Sequence, residues 1–483
     1  MMQIPTCPIT LSEIKDPVLS TVDGYTYEKV AILAWLSNNQ ISPMTKQPMT
    51  IHDLIPNRAF FSHNIQERVN VSANSVPQTF RVFKNSDSTC VKIIPPENTV
   101  RLPVNIMFVI DTSGSMGISD PNPNGENSYV SRLDLVVHSA TTIINMLNDN
   151  DSIGIISFNL RANLDFAPLK MTSYNKQYAI DTLRNLNAGG RTYIWDGIRL
   201  ALENANSDYN IVVLTDGESD IEPPRGTLEM FKNSKFTSTF HFFGYGYNLD
   251  LHLLRSMTNI SGGWFAFVPD ASIVGSTFVN FISHILSTAG NNIIINKTIK
   301  KGSVLFEKPK YIYNKNKINS VTINGIEYEL THKEDEFTDL SHTDNETFIS
   351  LVRSKNTEAL KSWAKTKEVF FPAVFETEDN PEGTGQIVKA TMPEYAKKWG
   401  NIYIETMMTA LESQYCPNFK DTFLFQFGDS QIFKKYQSEA EDKFVSMQIV
   451  IKSSGYQTQA PTQVPTQVPT QVSSTSYYNM GGG

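Results

Sequence analysis

Between residues 104 and 290 the chain alternates short apolar runs with longer amphipathic ones. The apolar runs are Ile106–Ile110, Ile153–Phe158, Ile211–Thr215, Phe240–Gly244 and Trp264–Val268. Unbroken apolar runs of this length mark strands covered on both faces. Between them, apolar positions recur at helical spacing near Arg132–Leu147, Tyr178–Leu186, Trp195–Ala205 and Leu251–Met257. This rhythm predicts a doubly wound, mostly parallel α/β sheet with helices on both faces. Residues 291–350 turn β-rich, with Asn292–Ile295, Tyr311–Tyr313 and Val321–Ile323, and helical patterns follow near Glu358–Thr366 and Ile402–Ser413.

The flanks differ in kind. Thr79–Phe83 and Cys90–Ile94 read as strands, the second stopped by Pro95-Pro96. They are expected to pair with the strands of 291–350, which would make the α/β segment an insertion in a β-rich domain. Residues 1–75 place two proline-bearing loops around one short helix, about Glu28 to Leu36, with Ala31 and Trp35 expected to face its core. From residue 453 the unit Pro-Thr-Gln-Val repeats, and proline at every fourth position favours extended, solvated chain. The expected organisation is 1–75, 76–103, 104–290, 291–452 and a disordered tail over 453–483, an overall multidomain α+β and α/β class.

Composition removes several function classes. With 483 residues, 40% hydrophobic and 19% charged, the chain has room for roughly three globular domains. A net charge of −8 without a basic face argues against nucleic acid as a partner. Cys7, Cys90 and Cys416 lie far apart and have neither zinc spacing nor a disulfide framework, which points to a reducing intracellular compartment. Met1-Met2-Gln3-Ile4-Pro5 lacks the features of a signal peptide, and no apolar run approaches the ~20 residues of a membrane span.

The candidate chemistry begins at Asp111-Thr112-Ser113-Gly114-Ser115, on the turn leaving the first buried strand. One carboxylate and two hydroxyls there suit a hard divalent cation that keeps part of its water. The turn lies where open α/β sheets bind ligands. Two more oxygens appear at equivalent places: Thr192 in a glycine turn opening a helix, and Asp216 directly after Ile211–Thr215. Asp181, Asp196, Glu218 and Asp220 read as solvated or capping residues. The polar loop Ile118–Ser128 lies on the same face and carries Asp120 and Glu126.

Two resemblances give these segments a family context. Cys7-Pro8-Ile9-Thr10-Leu11, Lys15-Asp16-Pro17-Val18, Asp23-Gly24-Tyr25-Thr26-Tyr27-Glu28, Trp35-Leu36, Ser42-Pro43-Met44-Thr45-Lys46-Gln47-Pro48 and Leu54–Arg58 resemble the U-box, in order and spacing. That family shares the RING fold but uses polar contacts in place of zinc. The segment has only Cys7, His52 and His63 where a RING needs eight ligands, so no zinc is expected and Cys7 reads as structural. The resemblance implies a groove for a ubiquitin-conjugating enzyme, with Ile9 and Leu11 as apolar anchors, Pro43 on the second loop and Trp35 beside it. Lys46 stands where the family often has arginine, and lysine cannot form arginine's planar fork of donors. Residues 104–290 resemble the von Willebrand factor A domain with its metal-ion-dependent adhesion site (MIDAS). This implies Mg²⁺ or Mn²⁺ held by Asp111, Ser113, Ser115, Thr192 and Asp216. Residues 291–450, with Trp399–Tyr403, Asn418–Asp421, Gln426–Gly428 and Phe433, resemble the domain that follows the A domain in eukaryotic ligases and intein-related proteins.

The combination is similar to U-box/A-domain proteins of large DNA viruses of amoebae and to plant ligases pairing a RING with the same downstream domains. It implies a U-box ubiquitin ligase without a catalytic residue of its own. Its partners would be a charged conjugating enzyme, ubiquitin and a protein target held by the A domain, with neither nucleic acid nor membrane. The cytoplasm is the expected location (the host's, if viral), with the nucleus as a second. The alternative is a non-enzymatic, metal-dependent adaptor whose U-box is degenerate. A metalloenzyme is disfavoured, because no His, Lys or Cys base stands beside the oxygen cluster.

Overall fold

The computed structural model describes residues 6–10, 14, 17–56, 79–97, 100–119, 130–205, 209–217, 219–246, 249–268, 271–333, 337, 347–352, 354, 359, 362, 390, 393–417 and 422–449. The expectations for Leu11, Asp120, Glu126, Glu218 and the tail from 453 lie outside these residues, as does most of Glu358–Thr366. The chain divides into two compact units, Met1–Val76 and Pro77–Gly483.

In the first unit, β1 (Pro17–Ser20) pairs antiparallel with β2 (Thr26–Glu28) on one side and β3 (Leu54–Pro56) on the other. The helix Lys29–Asn38 follows directly. It buries Ile32 and Leu36 beside Cys7, Val18, Tyr27 and Met49, while Ala31 and Trp35 only flank this core. The buried face is thus turned by one residue from the pattern read in the sequence. Trp35 is held at the rim because its indole N–H donates to the Ile41 carbonyl at 2.9 Å, and a half-buried indole commonly keeps such a partner.

The second unit begins with β4 (Arg81–Lys84) and β5 (Cys90–Ile94), then enters the α/β sheet. Its strands are β6 (Asn105–Asp111), β7 (Ser152–Phe158), β8 (Ala162–Lys170), β9 (Tyr209–Thr215), β10 (Thr239–Tyr245) and β11 (Phe265–Val268). They lie in the order β11-β10-β9-β6-β7-β8. Every pairing is parallel except that of β7 with β8, which is antiparallel at the sheet edge. The fold is therefore the doubly wound α/β arrangement read from the sequence, with one antiparallel edge strand.

Alternation along β6 explains the layers. Ile106, Phe108 and Ile110 enter one core with the helices Arg132–Met146, Ser173–Arg184 and Ala271–Leu286. Met107 and Val109 enter a second core with the helices Ile194–Asn204 and Leu251–Ser261. All five side chains are fully buried, each worth about 1.5–3 kcal/mol against exposure. The helices Asn401–Ser413 and Gln431–Ser446 also pack into the first core, through Met407, Met408 and Ala440 among others.

Short strands follow: β12 (Thr288–Gly290), β13 (Ile294–Ile295), β14 (Ile299–Lys300), β15 (Val304–Leu305), β16 (Lys310–Tyr313), β17 (Val321–Ile323), β18 (Ile326–Tyr328) and β19 (Thr331–His332). β5 pairs antiparallel with β16, and β4 pairs parallel with β19, giving a sheet of order β16-β5-β4-β19. A third core lies here, around Phe80, Val91, Ile93, Ile293, Phe306 and Val321.

Candidate metal and docking sites

Asp111 is the last residue of β6, and Asp216 directly follows β9, its hydrogen-bonded neighbour. β7 continues on one side of β6 and β9 returns on the other. This is a point of reversed strand order, where open α/β sheets leave a crevice beyond their carboxyl ends. The three loops singled out in the sequence meet there. The Gly114 N–H donates to the Gly190 carbonyl at 3.0 Å, and the Gly189 N–H donates to the Thr112 carbonyl at 2.8 Å. Gly190 has φ +85°, a left-handed conformation that favours glycine.

The side-chain oxygens form a connected set. The Ser113 and Ser115 hydroxyl oxygens are 3.1 Å apart, and Ser115 Oγ donates to Asp216 Oδ1 at 2.8 Å. Asp111 Oδ1 accepts the Ser113 N–H at 2.8 Å, and its Oδ2 accepts the Thr215 hydroxyl at 2.6 Å. Asp111, Ser113, Thr192 and Asp216 are all buried. Thr192 is fixed through its backbone, with its N–H donating to Asp220 Oδ2 at 2.9 Å and its carbonyl accepting the Asp220 N–H at 2.9 Å. Asp220 thereby braces the loop that carries Thr192. Asp196 accepts the Ala162 N–H and pairs with Arg199, and Asp181 pairs with Gln177 and Arg184 on an exposed helix face.

One participant was not legible as such. Arg132 opens the helix Arg132–Met146, whose Ser131 and Asp134 form a capping box. Its guanidinium donates from Nη1 to Asp216 Oδ2 at 2.6 Å, with the carboxylate fully buried. A cation in the first turn of a helix opposes the helix dipole, and that is the one local signal a sequence offers for it.

Burial pushes the Asp111 carboxyl up to about 6; the hydrogen bonds from Thr215 and Ser113 pull against this, and the Asp216 charge adds to it. Two carboxylates are thus buried near one another, and Arg132 pairs with Asp216. The donors are all hard oxygens, the set that suits Mg²⁺ or Mn²⁺, so these residues fit a divalent ion. Among the described residues, no group of three or more His, Cys, Asp or Glu side chains could hold a metal by itself. No helix among them is long and apolar enough to cross a membrane.

In the first unit, one carboxylate ties the loops together. Asp23 Oδ2 accepts the hydroxyls of Tyr27, at 2.6 Å, and of Ser42, while Oδ1 accepts the Tyr25 N–H at 2.9 Å. Ser42 Oγ in turn accepts the N–H groups of Met44 and Thr45. Cys7 Sγ accepts the Glu28 N–H at 3.2 Å and so ties the first loop to the helix start.

Beside this network, Pro43, Trp35 and Lys46 come together. Lys46 Nζ donates to the Pro43 carbonyl at 3.1 Å and lies 5.3 Å from the centre of the Trp35 ring. Lys46 also has φ +62°. Ile9 is half-buried against the same small core.

Three family models match the chain. Residues 5–67 match the U-box domain, 106–218 the von Willebrand factor type A domain, and 377–442 the VWA / Hh protein intein-like domain. The U-box segment is 53% identical over 53 residues to the WD repeat, SAM and U-box domain-containing protein 1 of Danio rerio, covering 11% of this chain and 11% of that protein. It is 43% identical over 51 residues to the E3 ubiquitin-protein ligase LubX of Legionella pneumophila strain Paris, covering 11% of this chain and 21% of that one. The chain thus spans about 11% and 21% of the length of these two relatives. Among solved structures it is similar to a von Willebrand factor type A protein from Catenulispora acidiphila. That likeness has 12% identity and a TM-score of 0.47, over 71% of this chain and 97% of that one.

Proposed function

We propose that this chain is a U-box ubiquitin ligase. On this reading it docks a ubiquitin-charged conjugating enzyme at its first unit and recruits a protein target through a metal-dependent A domain. The U-box match over residues 5–67 carries the proposal. The docking surface comprises Ile9, Leu11, Trp35, Pro43 and Lys46. The thioester stays on the conjugating enzyme, and the chain contributes positioning rather than a reacting side chain.

For recruitment, Ser113, Ser115 and Thr192 would offer hydroxyls to Mg²⁺ or Mn²⁺, with Asp111 and Asp216 balancing its charge, largely through water. The bound ion would supply an electrophilic position for a carboxylate of the target. The chain's own residues keep the site fixed: the Asp111–Thr215 bond holds one carboxylate, and Gly114 with Gly190 holds two of the loops together.

A second reading, a binding adaptor with a degenerate U-box, is favoured by Lys46. Its ammonium is folded onto the Pro43 carbonyl rather than presenting a planar fork. Autoubiquitination with a panel of conjugating enzymes, with and without chelator, separates the two. The ligase reading expects conjugates with at least one enzyme, undiminished by chelator when that enzyme is charged with ubiquitin beforehand, so that no Mg-ATP is needed. Absence of conjugates with every enzyme leaves the adaptor.

A further inference from the structure

Both oxygens of the Asp216 carboxylate are taken by the protein itself: Ser115 Oγ donates to one and Arg132 Nη1 to the other. The carboxylate is fully buried and the arginine side chain is 16% exposed, so this is a pair largely withdrawn from water. In such a setting a carboxylate left without its partner is strongly unfavourable. The arginine is confined as well as paired. Its backbone N–H donates to the Ile118 carbonyl at 3.1 Å, and its guanidinium lies over Gly246, where an added Cβ would stand 3.0 Å from Nη2. The Gly246 N–H is itself held by the Val268 carbonyl. The guanidinium is therefore laid along the carboxyl ends of the strands, on the carboxylate that the metal-site reading assigns to the ion.

Resting on that reading, we propose that Arg132 is a built-in competitor of the divalent ion and sets the ion affinity of the site. Without metal it neutralises Asp216. When the ion enters, either the arginine yields its oxygen to an ion-bound water, or it stays and faces a dication at close range. Either course weakens binding. The same charge has a second consequence for specificity. Two carboxylates alone would neutralise a divalent ion, whereas with Arg132 the loaded site keeps an excess positive charge. The site would then select an anionic group, a carboxylate of an acidic target segment, over a neutral carbonyl or hydroxyl.

The test uses the full chain as wild type, Arg132→Gln and Arg132→Lys. Mn²⁺ binding is read by calorimetry, and thermal unfolding is followed in chelator and in saturating Mn²⁺. Arg132→Gln should bind Mn²⁺ about tenfold or more tightly than wild type, since removing one nearby unit charge changes ion binding by at least that order. It should melt below wild type in chelator, where Asp216 has lost its counter-charge, and gain more than wild type from added Mn²⁺. Arg132→Lys keeps the charge and should stay within about threefold of the wild-type affinity. Wild-type binding with Arg132→Gln equal or weaker overturns the competitor role and leaves the metal site standing. If none of the three proteins binds Mn²⁺, the metal-site reading falls and this inference with it.

Discussion

Tyr415 closes the free edge of the α/β sheet at Phe265. Its hydroxyl donates to the Phe265 carbonyl at 2.8 Å and accepts the Phe265 N–H at 3.0 Å. Its ring stacks on Trp264 with centroids 4.0 Å apart and planes 12° from parallel. β11 is an edge strand, and unpaired backbone groups there are costly when covered by apolar side chains. One phenol supplies both partners, so the segment after the helix Asn401–Ser413 is fastened to the sheet by a polar contact as well as by packing. Burial holds the Tyr415 phenol well above its ordinary range.

Tyr415→Phe keeps the ring stack and removes only the hydroxyl. Two buried backbone groups lose their partner, and the expected loss is about 2–4 kcal/mol. Denaturant unfolding of the full chain measures it. A change below about 0.5 kcal/mol would mean that water replaces the phenol at no cost.

The first unit should depend on Asp23, whose carboxylate ties its loops together. Asp23→Ala leaves the buried Tyr27 and Ser42 hydroxyls without their shared acceptor, again costing about 2–4 kcal/mol. Hydrogen exchange on the full chain should quicken across residues 17–56 and stay unchanged across 105–268. Uniform protection in the variant would show that the apolar cluster around Tyr27 and Ile32 suffices.

The strands of the α/β sheet were legible because burial on both faces leaves nothing polar to interrupt them. β8 was not, since Ala162–Lys170 is a mostly half-exposed edge strand that buries only Phe166, with a composition that imitates a loop. The helix Ala271–Leu286 also escaped, because its helix is largely buried and carries no broad polar face to reveal a period. In the first unit the short helix was found but its face was misjudged by one residue, Ile32 and Leu36 standing in the core where Ala31 and Trp35 were expected. At the candidate metal site the oxygen donors stand on three loops that each carry a local signature. Arg132 lies on a fourth element whose local pattern says only that a helix begins, and its partner is 84 positions away.

Acid should weaken the second unit through His241. Its Nε2 lies 3.1 Å from Asn210 Oδ1, and its Nδ1 accepts the Trp264 N–H at 3.2 Å, which fits the neutral ring with the proton on Nε2. Burial pushes its pKa down to about 3. The unfolded histidine titrates near 6.5, so below that the unfolded chain takes up a proton that the folded chain refuses. The stability tied to this ring is fully present above about pH 6.5 and is lost as pH falls toward 3. His284 is also depressed, by burial first and by the Lys310 and His241 charges, and acts in the same sense. His241→Gln should flatten the acid limb of a stability–pH curve without abolishing it. An unchanged slope would place the acid sensitivity elsewhere.

At the docking surface, Ile9→Ala should slow ubiquitin transfer about tenfold or more while the first unit stays folded, with only a modest drop in its melting point from the half-buried side chain, because an apolar interface anchor is worth about 2 kcal/mol of binding. Transfer at the wild-type rate would remove Ile9 from the surface. Lys46→Arg is the complementary change: it restores the fork of donors and should raise transfer or leave it level. A sharp loss would instead tie activity to the Lys46 contact with Pro43 and Trp35.

The two proposed activities should separate cleanly by mutation, because the residues assigned to them lie in different compact units. Asp111→Asn removes one negative charge but keeps an oxygen for the Thr215 hydroxyl or the Ser113 N–H, so it tests charge with less damage to the fold than alanine would. Thr192→Ala removes a hydroxyl while the backbone bonds to Asp220 remain. Each should abolish Mn²⁺ and Mg²⁺ binding in calorimetry on the full chain, or weaken it at least tenfold, and each should leave autoubiquitination at the wild-type rate. Loss of conjugation in either variant would contradict the independence of the two units. No binding of either ion to the wild-type chain at millimolar concentration would reduce the α/β domain to a scaffold and end the metal-dependent recruitment reading.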